Sequence, residues 1–389
     1  MRRGHMNKKL QKILNATGYQ FKNIKYAFTS DGTDSKAWLI SENGNDAQDN
    51  GFALYKYLVQ NQDMWDIHAV YVISKDSPDY QKVASLGGDI VEPDTKRHYQ
   101  LMYSAGALIS THTYGYTPNK EIYYQLAQAG MFGPLDSLNV FLQHGVLDKD
   151  CEWLHWENYQ PDLFCISTPF EYQVLEEIYG VPKENIMATG MPRYDNLTSI
   201  KNDEKTILIM PTWRQWLKDA TKEEFKNSVY FRKWKQIFGS ELFKQLLEKN
   251  GYKCIYYLHS EIQRFAPLFT PYENPVIHFE TKEIQECMKK SDMLITDYSS
   301  IYLDMLHMKK PVFFYQFDRK QYESKHYSRS LLDYSDYGAM LTEDNFIKIL
   351  SRAFNGERFG DEEKIDSLFY FYDTNQCFRI VQRIQQSLN

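Results

Sequence analysis

The residues most able to do chemistry sit where apolar runs stop. NVFLQHGVLDKD ends such a run with His144 and Gly145. An imidazole has an ordinary pKa of about 6.5, close to working pH, and the glycine lets a ligand or another backbone approach it closely. His144 is therefore a candidate general base; the plainer alternative is a structural histidine closing the strand. MLITDYSS ends a second run with Thr296, Asp297, Tyr298, Ser299 and Ser300, then passes directly into the helical pattern IYLDMLHMK. Hydroxyls and unpaired N–H groups at a helix start favour an anion, so this segment reads as a phosphate cradle. Capping of the helix by Asp297 or Ser299 is the alternative, and the two are compatible. ILIMPTWRQW supplies Thr212, Trp213 and Arg214, a guanidinium fork suited to phosphate and an indole suited to a base or a neighbouring domain. YKCIYYLHS ends in His259 and Ser260, a second strand-end imidazole that either neutralises a diphosphate or is an ordinary surface histidine. GMPRYDNL (190–197) holds Arg193 and Asp195 after a Gly-Met-Pro turn, placed for linker duty or for a ligand.

These residues act together only if a scaffold brings them to the correct edge. Short apolar runs alternating with helical patterns are the sign of βα units on a parallel sheet, whose ligands bind beyond the carboxyl ends of the strands. In the first half, strands are expected at 37–42, 68–74, 89–93, 107–111, 139–145, 163–167 and 186–190. Helices are expected between them at 51–61, 78–86, 95–105 and 170–179. The polar stretch 195–205 reads as an interdomain linker. The second half restarts with a strand at 206–214 and a long charged and aromatic helix over 219–249, followed by strands at 252–260, 275–280, 292–300 and 310–318. Two consecutive α/β domains result, 1–200 and 201–389, with the terminal CFRIVQRIQQSL able to cap either, including by packing back on the first.

With 389 residues, 43% hydrophobic and 25% charged, the chain has the composition of a folded protein of two or three domains. Its 45 basic and 51 acidic side chains leave a charge of −6, which argues against a polyanion as the default partner. The 5 cysteines stand singly without a CxxC pair, as buried thiols in a reducing cytoplasm would. MRRGHM reads as an expression leader with Met6 as the native start. No apolar run approaches the roughly 20 residues of a transmembrane helix, so membrane contact is expected to be peripheral. The candidate face is 222–249, which mixes aromatic residues with Lys and Arg; a domain-packing helix is the plainer reading. The 10 histidines never fall at HxxxH spacing, so no structural metal is expected. GxxxxGK[ST], GxGxxG after a strand and GxSxG are all absent.

In their order and spacing, the strand-HG pair, GMPRYDNL, ILIMPTWR, YLHS and SDMLITDYSSIYLDMLHMKKPVFFYQFD resemble the CDP-glycerol glycerophosphotransferase family, which includes teichoic acid primases and polymerases. The resemblance spans roughly residues 36 to 385, and ITDYSS...D......P..FY..D is its most specific part. It implies a GT-B architecture, two Rossmann-like domains facing across a cleft with the nucleotide held mainly by the second. It also implies transfer of an alditol phosphate, commonly glycerol phosphate, from a CDP-activated donor to an acceptor hydroxyl in teichoic acid or capsule-type polymer synthesis, releasing CMP. On that resemblance His144 takes the acceptor proton, while Arg214, His259, Thr296, Ser299 and Ser300 bind the donor diphosphate. Asp297 matches the family's motif Asp, with a role between helix capping and donor positioning. Gly145, Lys149, Asp150 and Arg193 are the candidates for the acceptor side or the cleft. Teichoic acid polymerases of this family carry HGTPLK where this chain reads HGVLDKD, so Val146 to Asp150 differ where the acceptor should approach.

The resemblance requires no cofactor, because a helix N-terminus with Arg and His can supply the positive field; Mg²⁺ is an open addition. The expected partners are CDP-glycerol or another CDP-alditol and a lipid-linked or oligosaccharide acceptor, with no nucleic acid. The expected location is the cytoplasm, at the inner face of the cell membrane. Two other readings keep the same shell: a GT-B glycosyltransferase or sugar-nucleotide epimerase, and a non-catalytic assembly protein.

Overall fold

The computed structural model describes residues 16–26, 34–128, 135–197, 204–280, 284–326 and 330–389. The expected leader over 1–6 and the middle of the expected linker, 198–203, lie outside the described residues. The chain forms two compact units. One comprises the chain up to His144, Trp153–Asn196 and Asp373–Asn389; the other comprises Gly145–Glu152 and Leu197–Tyr372. Against 1–200 and 201–389, the second unit begins at Leu197 and also takes the segment after His144, while the C-terminal segment goes with the first unit, the packing-back alternative stated above.

The first unit is built on a parallel sheet of β1 (Asp34–Ser41), β2 (His68–Val72), β3 (Asp89–Val91), β4 (Ala105–Ser110), β5 (Leu138–Phe141), β6 (Leu163–Ile166) and β7 (Ile186–Ala188), in the order β3-β2-β1-β4-β5-β6-β7. Leu39 lies opposite Val70 on one side and Leu108 on the other. Because successive side chains alternate across a strand, Trp38 and Ile40 join the core on one face, while Leu39 joins the core on the other. Burial on both faces is the reason these strands read as continuous apolar runs. The C-terminal helix Gln376–Leu388 contributes Cys377, Ile380, Val381 and Ile384 to the Trp38 face. Asp195 fastens its first turn by accepting the N–H groups of Gln376 (2.8 Å) and Cys377 (2.9 Å).

The second unit holds β8 (Lys205–Ile209), β9 (Tyr252–Tyr257), β10 (Ile277–Glu280), β11 (Met293–Thr296), β12 (Val312–Phe314) and β13 (Ala339–Met340), ordered β10-β9-β8-β11-β12-β13 and also parallel. The expected long helix over 219–249 is three helices, Lys222–Lys226, Val229–Phe238 and Glu241–Asn250, because Thr221, Ser228 and Ser240 each cap a new start. Tyr230, Phe231, Trp234, Ile237 and Phe238, at helical spacing, are buried in this unit's core. This is the plainer, domain-packing reading of 222–249: its aromatic stripe is spent on the core, and Val229 and Leu242 are its exposed large apolar side chains. The two-residue β13 and the helix Lys120–Gln128, which falls between the strands expected at 107–111 and 139–145, were not expected. Among the described residues no helix is long and apolar enough to cross a membrane.

In both sheets the strand order reverses between the first and fourth strands, β1/β4 and β8/β11. Such reversals leave a crevice at the carboxyl edge where parallel sheets hold ligands.

Candidate active site

At the carboxyl edge of the first sheet, β5 stops at Phe141, and Gln143 turns the chain with φ of 61°. This left-handed conformation is costly for a residue with a side chain, and Gln143 is held in it by its own bonds. Its Nε2 donates to the Cys165 carbonyl (2.5 Å) and to Glu171 Oε1 (3.1 Å), and its carbonyl accepts from Asn50 Nδ2 (3.0 Å). The turn delivers His144 to the surface, where its side chain is 75% exposed.

The exposed imidazole is fastened from below. His144 Nδ1 lies 2.5 Å from Asp49 Oδ2. The other Asp49 oxygen accepts from Arg193 Nη1 (2.6 Å), and that same nitrogen donates to the His144 carbonyl (2.8 Å). Asp49 precedes the helix Asn50–Gln60 but does not cap it. Glu42, just after β1, serves that turn instead by accepting the N–H groups of Gln48 (2.9 Å), Asp49 (2.8 Å) and Phe52 (3.0 Å). Burial works to raise the Asp49 carboxyl, but the charges of Arg193 and His144 outweigh it and hold the group below the usual carboxylate range. Burial and the neighbouring Asp49 charge push Glu42 up to about 7.

A second histidine, His112, follows β4 and lies beside His144, ring centroids 5.4 Å apart. Its Nδ1 is 3.0 Å from the Glu42 carbonyl. Burial, then the neighbouring His144 charge, lowers it to about 4, so it is neutral at working pH.

The second unit's crevice is organised around Arg214, which has no exposed surface. Its Nε and Nη2 grip Asp318 (2.8 and 3.0 Å), Nη2 also meets Asp297 Oδ2 (2.7 Å), and Nη1 donates to the Thr212 carbonyl (2.6 Å). The rings of Tyr230, Tyr298 and Tyr322 lie 5.0 to 5.1 Å from the guanidinium carbon. Asp297 further accepts the N–H groups of Thr212 (2.7 Å) and Tyr298 (2.6 Å), which ties the end of β8 to the end of β11 at the order reversal. Burial works against the charge of Arg214, and the two carboxylates overcome it to hold the group above its ordinary value.

The expected site residues therefore separate into those left accessible at the carboxyl edge of a sheet and those whose polar groups are consumed inside the fold. Arg214 is not presented to a phosphate; its guanidinium is consumed by Asp297 and Asp318, which corrects its expected role as a direct ligand. Thr296 is likewise turned inward, its hydroxyl donating to the Met210 carbonyl (2.6 Å). Asp297 neither caps the following helix nor faces solvent. Ser299 and Ser300 are half-buried at the start of the helix Ile301–His307, and among the described residues their hydroxyls have no hydrogen-bond partner. His259 is half-buried after β9, accepts from the Glu261 N–H (3.3 Å) and stacks at 6.0 Å on Trp213. Trp213 also meets His326 edge-on, at 4.7 Å.

On the segment after Gly145, Lys149 Nζ contacts both oxygens of Asp148 at 2.9 Å, and its backbone bridges to Ser330. Gly145 and Asp150 are half-buried there. Arg193 is buried within the first unit, where it donates to the Asp49 carboxylate and to the His144 carbonyl, instead of being presented at the surface. Asp49, Glu42, His112, Asp318 and His326 were missed. Asp49, Glu42 and His112 do lie at strand ends or in strand-to-helix loops, and Asp318 closes the apolar run KPVFFYQFD, so position alone could have drawn attention to them. Among the described residues no three His, Cys, Asp or Glu side chains converge as a metal-binding group.

Comparison with known proteins follows the same outline. Over 374 residues the chain is 32% identical to the minor teichoic acid biosynthesis protein GgaB of Bacillus subtilis, covering 89% of this chain but 39% of GgaB's length. It is 24% identical to a teichoic acid glycerol-phosphate transferase of Staphylococcus aureus, over 73% of this chain and 75% of that protein. The structure of the wall teichoic acid polymerase TagF superposes with a TM-score of 0.68 at 18% identity, over 100% of this chain and 98% of that one, which establishes the GT-B fold expected from sequence. Residues 24–386 match the family described as CDP-glycerol:poly(glycerophosphate) glycerophosphotransferase, and it is to this family that the chain belongs.

Proposed function

We propose that the chain transfers an alditol phosphate, glycerol phosphate first among them, from a CDP-activated donor to an acceptor hydroxyl during synthesis of a teichoic acid or capsule-type polymer. The observation that carries this reading is an exposed imidazole at the carboxyl end of a parallel strand, anchored by a buried carboxylate. Family membership supplies the donor class.

The acceptor oxygen bonds to the phosphorus that carries the alditol. The bond from that phosphorus to the bridging oxygen breaks, CMP leaves with the electron pair, and the hydroxyl proton passes to His144. Such a transfer depends mainly on in-line positioning and neutralisation of the phosphate oxygens. Ser299, Ser300 and His259 offer donors to the diphosphate, while Asp297 and Arg214 keep the surrounding loops in place. Gly145 leaves room beside the imidazole, with Lys149 and Asp150 next along the chain on the acceptor side. A lipid-linked acceptor puts the reaction at the cytoplasmic face of the membrane, with peripheral contact only.

The test is CMP release from CDP-glycerol, CDP-ribitol and, as a contrasting donor, nucleotide release from UDP-glucose, each with and without a crude lipid-linked acceptor fraction and with and without Mg²⁺. Acceptor-dependent CMP release from one CDP-alditol is expected. Silence with both CDP donors from folded protein that turns over UDP-glucose would replace this reading with a GT-B glycosyltransferase.

A further inference from the structure

We infer that Asp49 is a positioning residue for His144: its carboxylate takes the Nδ1 proton in a hydrogen bond, so that Nε2 is the nitrogen left to receive the proton of the acceptor hydroxyl. The inference rests on the reading of His144 as the base and adds what makes it one.

An ionised carboxylate only accepts hydrogen bonds, so the 2.5 Å contact between His144 Nδ1 and Asp49 Oδ2 requires the hydrogen to sit on Nδ1. The opposite tautomer would set two lone pairs against each other. Arg193 keeps Asp49 ionised through its 2.6 Å bond to the other oxygen, and by donating to the His144 carbonyl it fixes the backbone that carries the ring. Asn50 adds a second backbone restraint one residue earlier, at Gln143. Two segments far apart in the chain, 49–50 and the one holding Arg193, thus converge on the turn that carries the imidazole. The arginine of GMPR thereby secures the carboxylate that orients the base.

When Nε2 takes the proton, the ring becomes a cation facing a buried anion, the arrangement that stabilises the imidazolium in hydrolytic triads. The charged or titratable groups around the ring are Asp49, Arg193, Glu42 and His112. Asp49 dominates and raises His144 above the ordinary imidazole value, against desolvation and Arg193. The base is active when neutral, so turnover should rise with pH through this raised value.

The test compares wild type, Asp49→Asn and His144→Ala. Titration of the histidine ring nitrogens by ¹⁵N NMR needs no substrate. Acceptor-dependent CMP release from CDP-glycerol with the crude lipid-linked fraction is followed across pH, and calorimetry with CDP-glycerol verifies that each variant is folded. In Asp49→Asn the His144 titration should move to lower pH, the rise in turnover should move with it, and kcat should fall about 10²-fold or more with little change in KM for CDP-glycerol. If His144→Ala is inactive while Asp49→Asn leaves the titration and the pH profile where they were, the role of Asp49 is overturned and the base assignment stands. Full turnover by His144→Ala would overturn both.

Discussion

At the residue scale, the two buried arginines use the same chemistry for different ends. Arg193 neutralises a carboxylate whose second oxygen holds an exposed imidazole, so the pair is one step from solvent. Arg214 neutralises Asp297 and Asp318 inside a box of tyrosine rings, with no exposed surface. Removing one member of a buried ion group leaves its partners charged and unpaired, a loss of about 3–5 kcal/mol. Arg214→Met should therefore lower stability by about that amount, read as an earlier midpoint in urea unfolding. An unchanged midpoint with weakened CDP-glycerol affinity would return Arg214 to the role of direct phosphate ligand. The contrast also marks what residue types reveal. His144, Arg193 and Arg214 are noticeable in the sequence because their side chains carry rare chemistry at strand ends. Their partners Asp49, Asp297 and Asp318 lie 83 to 144 positions away from them, and only folding selects those carboxylates from among the 51 acidic residues.

At the scale of elements, the strands were the most legible part of the chain, because burial on both faces demands a continuous apolar run. From AWLISE to PVFFY each run predicts a strand that forms, while β13, with only Ala339 and Met340, has no run to read. Helix boundaries were less legible. The aromatic stretch 219–249 keeps a helical period throughout, and the breaks come from single residues such as Ser228 and Ser240 whose side chains cap a new helix. The start of the helix Ile301–His307 is where element and site meet. Asp297, the obvious cap, is committed to Arg214, and the hydroxyls of Ser299 and Ser300 make no bond among the described residues. Hydrogen bonds to charged groups contribute about 1.5–3 kcal/mol each. The double variant Ser299→Ala with Ser300→Ala should therefore weaken CDP-glycerol binding by about tenfold or more in calorimetry and leave the thermal midpoint almost unmoved. A fall in the midpoint with unchanged affinity would assign both serines to folding.

At the scale of the whole molecule, the C-terminal helix belongs to the first unit's core through Cys377, Ile380, Val381 and Ile384. Full burial of such side chains is worth about 1.5–3 kcal/mol for each large aliphatic one, which approaches the total stability of a typical domain. A chain ending at Tyr372 should lose amide protection across 34–144 and 153–196 in hydrogen exchange while 145–152 and 205–372 stay protected. Equal protection in both regions would show that the first unit does not need its last helix. The path of the chain has one more consequence. It passes between the units after His144, after Glu152, after Asn196 and after Tyr372, so neither unit is one continuous stretch. A hybrid joined to a relative at the linker alone would inherit a foreign final helix in the core of its first half, and its own 145–152 would have to settle against a foreign loop in place of the one around Ser330. An exchange of halves that keeps both interiors intact must carry four junctions, and the first of them falls on the peptide bond after His144.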